Sequence, residues 1–151
     1  AYPFVVVPIY GSCHRSFVII ENALQPGPTS LYHVHSFRCC SNLGRISDNI
    51  IWYLAHEQKF QAPNIPTPAW NCEGFYTTPL QSNTVDCGVY VLHFIDNISR
   101  AVMKLRRAMR MPRYISDKMV EWTCGTFNEN ASYCVRTVLY NRIISDANAK
   151  T

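Results

Sequence analysis

The chain has 151 residues, of which 48% are hydrophobic and 16% are charged, and its formal net charge is +4. This composition excludes an intrinsically disordered chain and predicts one globular domain with a single core. The basic excess is too mild to indicate nucleic-acid binding, and it is compatible with an acidic protein partner. No apolar stretch approaches membrane-spanning length, and the N-terminal residues lack the pattern of a cleavable signal.

Seven cysteines are an odd number, so at least one thiol must be free within a monomer. Cys39 and Cys40 are adjacent, which is awkward geometry for a disulfide between them. No Cys-x-x-Cys pair occurs, so a zinc site has little support. We therefore predict a reduced intracellular protein, in the cytoplasm or nucleus, whose other cysteines are small core residues.

Three predicted strands precede the first predicted helix. β-Branched and aromatic residues favour strands, and Gly11 with Ser12 turns the chain after the first of them. The second and third strands pair as a hairpin across a turn rich in proline. The helix has an apolar stripe, and Ser41 or Ser47 is a candidate for its N-cap. The predicted strands cover residues 2–10, 15–21 and 31–37, and the helix covers residues 42–59.

The remainder of the chain is predicted to be mainly helical. A short aromatic strand at residues 72–78 leads into a loop, and helices follow at residues 87–109, 116–122 and 129–145. The first half of the helix at residue 87 is apolar nearly all round, as in a buried central helix, and Pro112 ends it. These elements predict an α+β fold in which a short, mostly antiparallel sheet packs on a central helix.

Cys87 is the strongest candidate for a chemically active residue. It lies at the predicted start of a helix, where unpaired backbone N–H groups and the helix dipole favour the thiolate, which is the nucleophilic form. Gln81 lies just upstream, and its amide can stabilise an oxyanion together with the backbone N–H of Cys87. The complete spacing, from Pro79 to Gly88, is Pro-x-Gln-x-Asn-x-x-Asp-Cys-Gly.

His14 is the candidate general base. It lies at a turn between two apolar predicted strands, so its ring is expected to be fixed by the sheet. A neutral imidazole within hydrogen-bond reach of the sulfur can take the thiol proton. The structural alternative is a loop histidine without a catalytic role.

The motif around Cys87 resembles the nucleophile motif of the ubiquitin-like-protein proteases, the cysteine peptidases that process and remove SUMO and related modifiers. The segment from Phe4 to Ile20, with its apolar strand, proline, turn, histidine and second strand, is similar to the histidine block of that family. The resemblance spans roughly residues 4–98. It implies a papain-related fold in a single catalytic domain, residues 1–151, that lacks the upstream segment of the family.

The resemblance also implies an activity and its residues. The chain would be a thiol protease or isopeptidase that cleaves after the Gly-Gly-like tail of a ubiquitin-like modifier, such as SUMO, or of a related protein substrate. It would act as a monomer on that modifier or protein, and it would need no cofactor, metal, nucleic acid or membrane. Cys87, His14, Gln81 and His35 would be the catalytic positions, and Arg15, Asn83, Asp86 and Gly88 would contact the substrate.

Two positions depart from the family pattern. His35 stands where the family has an aspartate that orients the catalytic imidazole and stabilises its charge. His35 is thus a weak orienting residue, or another acceptor replaces it, or the chain binds without cleaving. Arg15 stands where the family has a tryptophan that roofs the tunnel for the tail, and an arginine can stack or bind a carboxylate instead.

The remaining histidines favour structural roles. His33 and His35 alternate on a predicted strand and therefore face the same side, which makes a two-histidine metal site conceivable. No third ligand is visible nearby in the sequence, so we predict no metal site. His56 and His93 are predicted to be packed helical residues.

Two other functions are compatible with the sequence. Bacterial effector acetyltransferases resemble the same clan, and in such an enzyme a basic run would hold a phosphorylated ligand, although we favour a solvated helix face as the explanation of the run. The run comprises Lys104, Arg106, Arg107, Arg110 and Arg113. The other function is a pseudoprotease that keeps only a docking face, which the substitutions at positions 15 and 35 favour and which the presence of Gln81 and Cys87 disfavours.

Overall fold

The structure is a computed structural model that describes residues 4–11, 14–38, 43–61, 63–64, 66–108, 115–125 and 127–149. Within these ranges the fold is α+β, as predicted. The strands are β1 (Phe4–Tyr10), β2 (Arg15–Glu21), β3 (Thr29–His35) and β4 (Trp70–Tyr76), and the helices are α1 (Leu43–Gln61), α2 (Cys87–Arg107), α3 (Ser116–Trp122) and α4 (Glu129–Asn148). Helix α1 lies between β3 and β4 in the chain, and the other helices follow β4.

The strands form one sheet in the order β1-β2-β3-β4. The pairs β1–β2 and β2–β3 are antiparallel, and the register of the first pair sets Tyr10 opposite Arg15. The pair β3–β4 is parallel, with His35 opposite Tyr76, because α1 carries the chain back to the starting end of β3 before β4 begins. The predicted hairpin of the second and third strands is confirmed, and the sheet is mixed.

Both faces of the central strands are buried. Alternate residues of β2 and β3 face α2 on one side, where Phe17 and Tyr32 join Phe94 in the larger core cluster. On the other side Val18 and Leu31 meet Leu54 and further apolar residues of α1. This double coverage explains why β2 is a nearly continuous apolar run rather than an alternating one.

One local prediction is wrong. Ser47 is the fifth residue of α1 and is buried, so it cannot be the N-cap, and Ser41 lies outside the described residues. The first half of α2 is mostly buried, as expected for a central helix, although its Leu92 is half exposed. Ser12 and Pro112 also lie outside the described residues.

Three of the described cysteines do not follow the predicted core role. Cys72, Cys124 and Cys134 are exposed free thiols, whereas Cys87 is buried and free. Each exposed cysteine lies on an edge strand, in a loop or on a solvent-exposed helix, where the fold does not require a buried side chain. Cys13, Cys39 and Cys40 lie outside the described residues. Within the described ranges, no helix combines the length and the apolar character that crossing a bilayer requires.

Candidate active site

Cys87 is the first residue of α2, as the sequence predicts, and only 2% of its surface is exposed. The backbone N–H groups of the first helical turn have no partner inside the helix, so the sulfur lies at the positive end of the helix dipole. The carboxylate of the preceding residue, Asp86, forms no hydrogen bond that caps the helix. Asp86 therefore does not occupy the N–H donors of the first turn of α2.

Arg15 contacts the sulfur of Cys87 directly. Its Nη1 lies 3.8 Å from Sγ, although the two residues are separated by 72 positions in the sequence. Its guanidinium carbon lies 4.6 Å from the centre of the Tyr10 ring, and its Cδ would be 3.5 Å from a Cβ built on Gly88. The sequence marked Arg15 and Gly88 as substrate-binding positions. The structure places the arginine side chain across the candidate nucleophile and over Gly88.

His14 precedes Arg15 at the entry to β2. Its Nε2 is buried and has no hydrogen-bond partner among the described residues, so this nitrogen is not bonded to Cys87 Sγ. Burial lowers the pKa of the His14 ring, and the positive charge of Arg15 lowers it further. The ring is therefore neutral near neutral pH, which is the form that accepts a proton.

His35 packs beside His14 without bonding to its Nε2. The two ring centres are 6.4 Å apart and the ring planes are nearly parallel, at 14°. Burial, and then the charge of His14, lowers the pKa of His35 to about 4. A neutral His35 does not repel a protonated His14, and it also supplies none of the negative charge that an aspartate would bring.

His33 and His35 face the same side of β3, as predicted, with ring centres 3.8 Å apart. His33 Nε2 shares a 2.7 Å hydrogen bond with Ser16 Oγ, whereas its Nδ1 is buried without a hydrogen-bond partner among the residues that the structure describes. Burial is the main cause that lowers the pKa of His33 to about 3, and the charges of His35 and His14 add to it. In the described part of the chain, no group of three side chains has the makeup of a metal site.

Gln81 is buried and held at several atoms. Its backbone N–H donates to the Ser36 carbonyl at 2.6 Å, and its Oε1 accepts from Ser36 Oγ at 3.0 Å. Its Nε2 donates to the backbone carbonyl of Asn83 and lies 3.5 Å from Asn83 Oδ1. The end of β3 thus fixes the amide that the sequence predicts as an oxyanion donor, and in this structure that amide donates within its own loop.

The loop between Gln81 and Cys87 is built around two further polar residues. Asn83 Oδ1 accepts from the backbone N–H groups of Val85 and Asp86 at 3.0 and 2.9 Å, and its Nδ2 donates to Asp86 Oδ2 at 2.6 Å. The sequence marked Asn83 and Asp86 as substrate-binding. In this structure their side chains form hydrogen bonds within the loop that presents Cys87.

Helix α4 supplies the other partners of Asp86. Ser132 Oγ donates to Asp86 Oδ2 at 3.1 Å, and the Arg136 guanidinium donates to Oδ1. Burial alone would raise the pKa of Asp86, but the hydrogen bonds from Asn83, Ser132 and Arg136 and the charge of Arg136 outweigh it, so the pKa is lowered. Sequence reasoning missed Ser132 and Arg136, because they carry no motif and lie far along the chain from the loop they hold.

The two remaining histidines pack against aromatic rings, and part of the basic run lines a groove on α2. His93 packs edge-on against Phe94 and Phe127, and its Nε2 lies 2.8 Å from Asn97 Nδ2, which confirms the packed role. His56 stacks on Trp52 along α1. Two residues of the basic run, Lys104 and Arg107, line an open groove of about 650 Å³. Its other described lining residues also lie on α2 or at its C-terminal end, namely Ser99, Arg100, Met103 and Ala108. Arg110 and Arg113 lie outside the described residues.

Comparison with known proteins identifies the family. Residues 1–120 match the family model described as "Ulp1 protease family, C-terminal catalytic domain". The match covers most of the chain, so the chain belongs to this family of cysteine proteases, as the sequence motifs predicted. Helix α4 lies beyond the matched residues.

One solved structure, described as "Crystal structure of the de-sumoylating protease", has the same fold with a TM-score of 0.57 and 20% sequence identity. The alignment covers 93% of this chain and 55% of that protein, so the chain spans about half of the length of the solved protein. At this identity the likeness concerns the fold, and it confirms the predicted papain-related α+β architecture. Among curated protein sequences, none matches the chain.

Proposed function

We propose that this chain is the catalytic part of a thiol protease or isopeptidase that acts on a ubiquitin-like modifier or a related protein. The observation that carries the proposal is the position of Cys87 Sγ, which lies at the N-terminus of α2 in contact with the residue that follows His14. The family match and the likeness to a de-sumoylating protease support the same function. We further propose that the protein acts as an intracellular monomer without a cofactor.

The proposed reaction begins at the sulfur. Cys87 Sγ attacks the carbonyl carbon of the scissile bond, and His14 takes the thiol proton and delivers it to the departing amine. Water then hydrolyses the thioester to release the acid and the free thiol. The lowered pKa of His14 supports its role as a neutral base, and the near-parallel packing of His35 supports a role in orienting the ring.

Gln81 is the proposed partner of the Cys87 backbone N–H in stabilising the oxyanion. Its amide carries two N–H bonds, and one of them is engaged by the Asn83 carbonyl. The same Nε2 lies 3.5 Å from Asn83 Oδ1, a contact long enough to be exchanged for a substrate oxygen. Asn83 and Asp86 would then affect the substrate indirectly, by holding this loop in shape.

A pseudoprotease that binds without cleaving is the second candidate, and one observation favours it. Nε2 of His14 is buried without a hydrogen-bond partner among the described residues, so no carboxylate there supports an imidazolium. An acetyltransferase is the third candidate, and the open groove beside Lys104 and Arg107 is the feature that would hold its phosphorylated ligand. Labelling of Cys87 by radioactive acetyl-CoA would decide for the transferase.

The test of the proposed function is labelling of the protein with a SUMO-type modifier that carries a C-terminal vinyl sulfone. We expect one adduct at Cys87, none in Cys87→Ala and a much slower one in His14→Ala. Cys134→Ser is the matched control, because Cys134 is an exposed free thiol on a helix outside the site. Equal labelling of Cys87 and Cys134, or turnover of a Gly-Gly fluorogenic substrate by Cys87→Ala, would contradict the assignment.

A further inference from the structure

We propose that Arg15 selects substrates that carry an acidic side chain directly after the scissile bond. This inference rests on the proposed function and deepens it, because it names the chemistry of the residue that the enzyme releases. The geometry that carries it is the 3.8 Å contact between Arg15 Nη1 and Cys87 Sγ. Any carbonyl that the sulfur attacks must come within reach of the same guanidinium.

The charge of Arg15 has no carboxylate partner among the described ion pairs, which join Asp96 to Arg100, Glu121 to Lys118 and Asp86 to Arg136. Its side chain is exposed, and its present contacts are a sulfur at long range and the face of a tyrosine ring. A guanidinium stays cationic and binds a carboxylate through a fork of two parallel N–H bonds, which neither present contact provides. A substrate carboxylate is therefore the better acceptor.

Arg15 is also held ready for this role. The Tyr10 ring lies opposite Arg15 in the β1–β2 register and supports the guanidinium at 4.6 Å from its centre. The arginine stem crosses the start of α2 over Gly88, where an added Cβ would stand 3.5 Å from Arg15 Cδ, an ordinary contact distance. A side chain that is ordered before binding loses less entropy when it pairs with a ligand. A larger part of the favourable free energy of the ion pair then contributes to selectivity.

The guanidinium of Arg15 extends from the position where the family roofs the tail to the sulfur, where the acyl and leaving sides of the scissile bond meet, and we place the acidic group on the leaving side. The proposed tail on the acyl side consists of small residues, which have no side chain that could carry a charge. The residue after the scissile bond is then the nearest position from which a carboxylate reaches Arg15. The selected sequence is a small-residue tail followed by aspartate or glutamate.

The test compares three fluorogenic peptides that differ only after a Gly-Gly pair, where they carry Asp, Asn or Lys. We expect kcat/KM for the Asp peptide to exceed that for the Asn peptide by about tenfold, the ratio that one charge-assisted hydrogen bond supplies, and the Lys peptide to be poorer still. Arg15→Glu should make the Lys peptide a better substrate than the Asp peptide. Arg15→Lys keeps the positive charge and should still prefer the Asp peptide. Arg142→Glu makes the same charge change on the exposed face of α4 and should leave the order as it is.

A binding measurement separates failure of this inference from failure of the proposed function. In the Cys87→Ala background, fluorescence anisotropy of the same peptides should show tighter binding of the Asp peptide, weakened by salt and inverted by Arg15→Glu. If no peptide is cleaved but this inversion occurs, the hydrolase is wrong and the acidic selectivity stands. The role of Arg15 is overturned if Arg15→Glu does not change how much better the Asp peptide is cleaved, or bound, than the Lys peptide.

Discussion

Arg136 of α4 donates to the carboxylate of Asp86, the residue directly before Cys87. The carboxylate is almost completely buried, and α4 begins after the segment that matches the protease family. A helix outside the family pattern therefore helps to set the position of the candidate nucleophile. Because many of the α4 side chains are exposed, this polar contact is a principal link between α4 and the rest of the fold.

Arg136→Ala should lower both stability and activity. It removes a charged donor from a buried carboxylate, and we expect a loss of about 1–2 kcal/mol in the free energy of unfolding, at the lower end because Arg136 is 45% exposed. Urea unfolding measures the first effect and kcat/KM the second. Arg136→Lys should recover part of both, and Arg142→Ala on the same helix should change neither. An unfolding midpoint unaffected by Arg136→Ala would show that the ion pair does not hold the loop.

Lowering the pH should destabilise the protein over a pH range that is set by His33 and His35 of β3. The folded pKa of His35 is about 4 and that of His33 about 3, both below the unfolded value of 6.5. The unfolded chain therefore binds more protons in this range, so the stabilising contribution is complete above pH 6.5 and is lost as the pH falls towards 4 and then 3. For His35 alone the loss is on the order of 3 kcal/mol.

Urea unfolding midpoints at a series of pH values check this dependence. His35→Gln, which does not titrate, should flatten part of the decline between pH 6.5 and pH 4. Burial lowers the pKa of His14 and His93 as well, so a residual slope of the same sign is expected in that variant. A wild-type midpoint that does not change over this range would contradict the burial of these rings as neutral groups.

His35→Asp should raise activity. A carboxylate at position 35 faces the ring of His14, stabilises its protonated form and restores the acceptor that the family pattern has there. We expect kcat near neutral pH to rise by about tenfold or more, and the acid limb of the pH–rate profile to move to higher pH because the pKa of His14 rises. His35→Asn has a similar size without the charge and should show neither change. A slower His35→Asp enzyme that is folded would indicate that His14 is not the base.

Gln81→Glu should lower kcat by about 10²- to 10³-fold with little change in KM, because it replaces the proposed oxyanion donor with an acceptor. The variant can still accept the hydrogen bond from Ser36, so the loop keeps one of its anchors. Ser36→Ala is the complementary control, since it removes that anchor and leaves the amide donor in place. If Ser36→Ala were as slow as Gln81→Glu, the role of Gln81 would be structural.

Local patterns predicted the elements well where one physical signal dominated. The apolar run of β2 and the short helix α3 have the predicted bounds, and the period of two along β3 predicted that His33 and His35 share a face. The parallel pairing of β3 with β4 was not predictable, because it depends on where α1 returns the chain. The contacts of Arg15 with Cys87 and of Arg136 with Asp86 join distant parts of the sequence, and no local periodicity encodes them.

The double coverage of β2 has a consequence for how fast the sulfur can be reached. A strand clamped by α1 on one side and α2 on the other keeps its backbone fixed while the exposed side chain at its first position moves. Arg15 itself can change rotamer on the picosecond-to-nanosecond timescale, as an exposed side chain does. In the proposed protease, motion of this side chain would be much faster than a typical turnover and would not limit its rate.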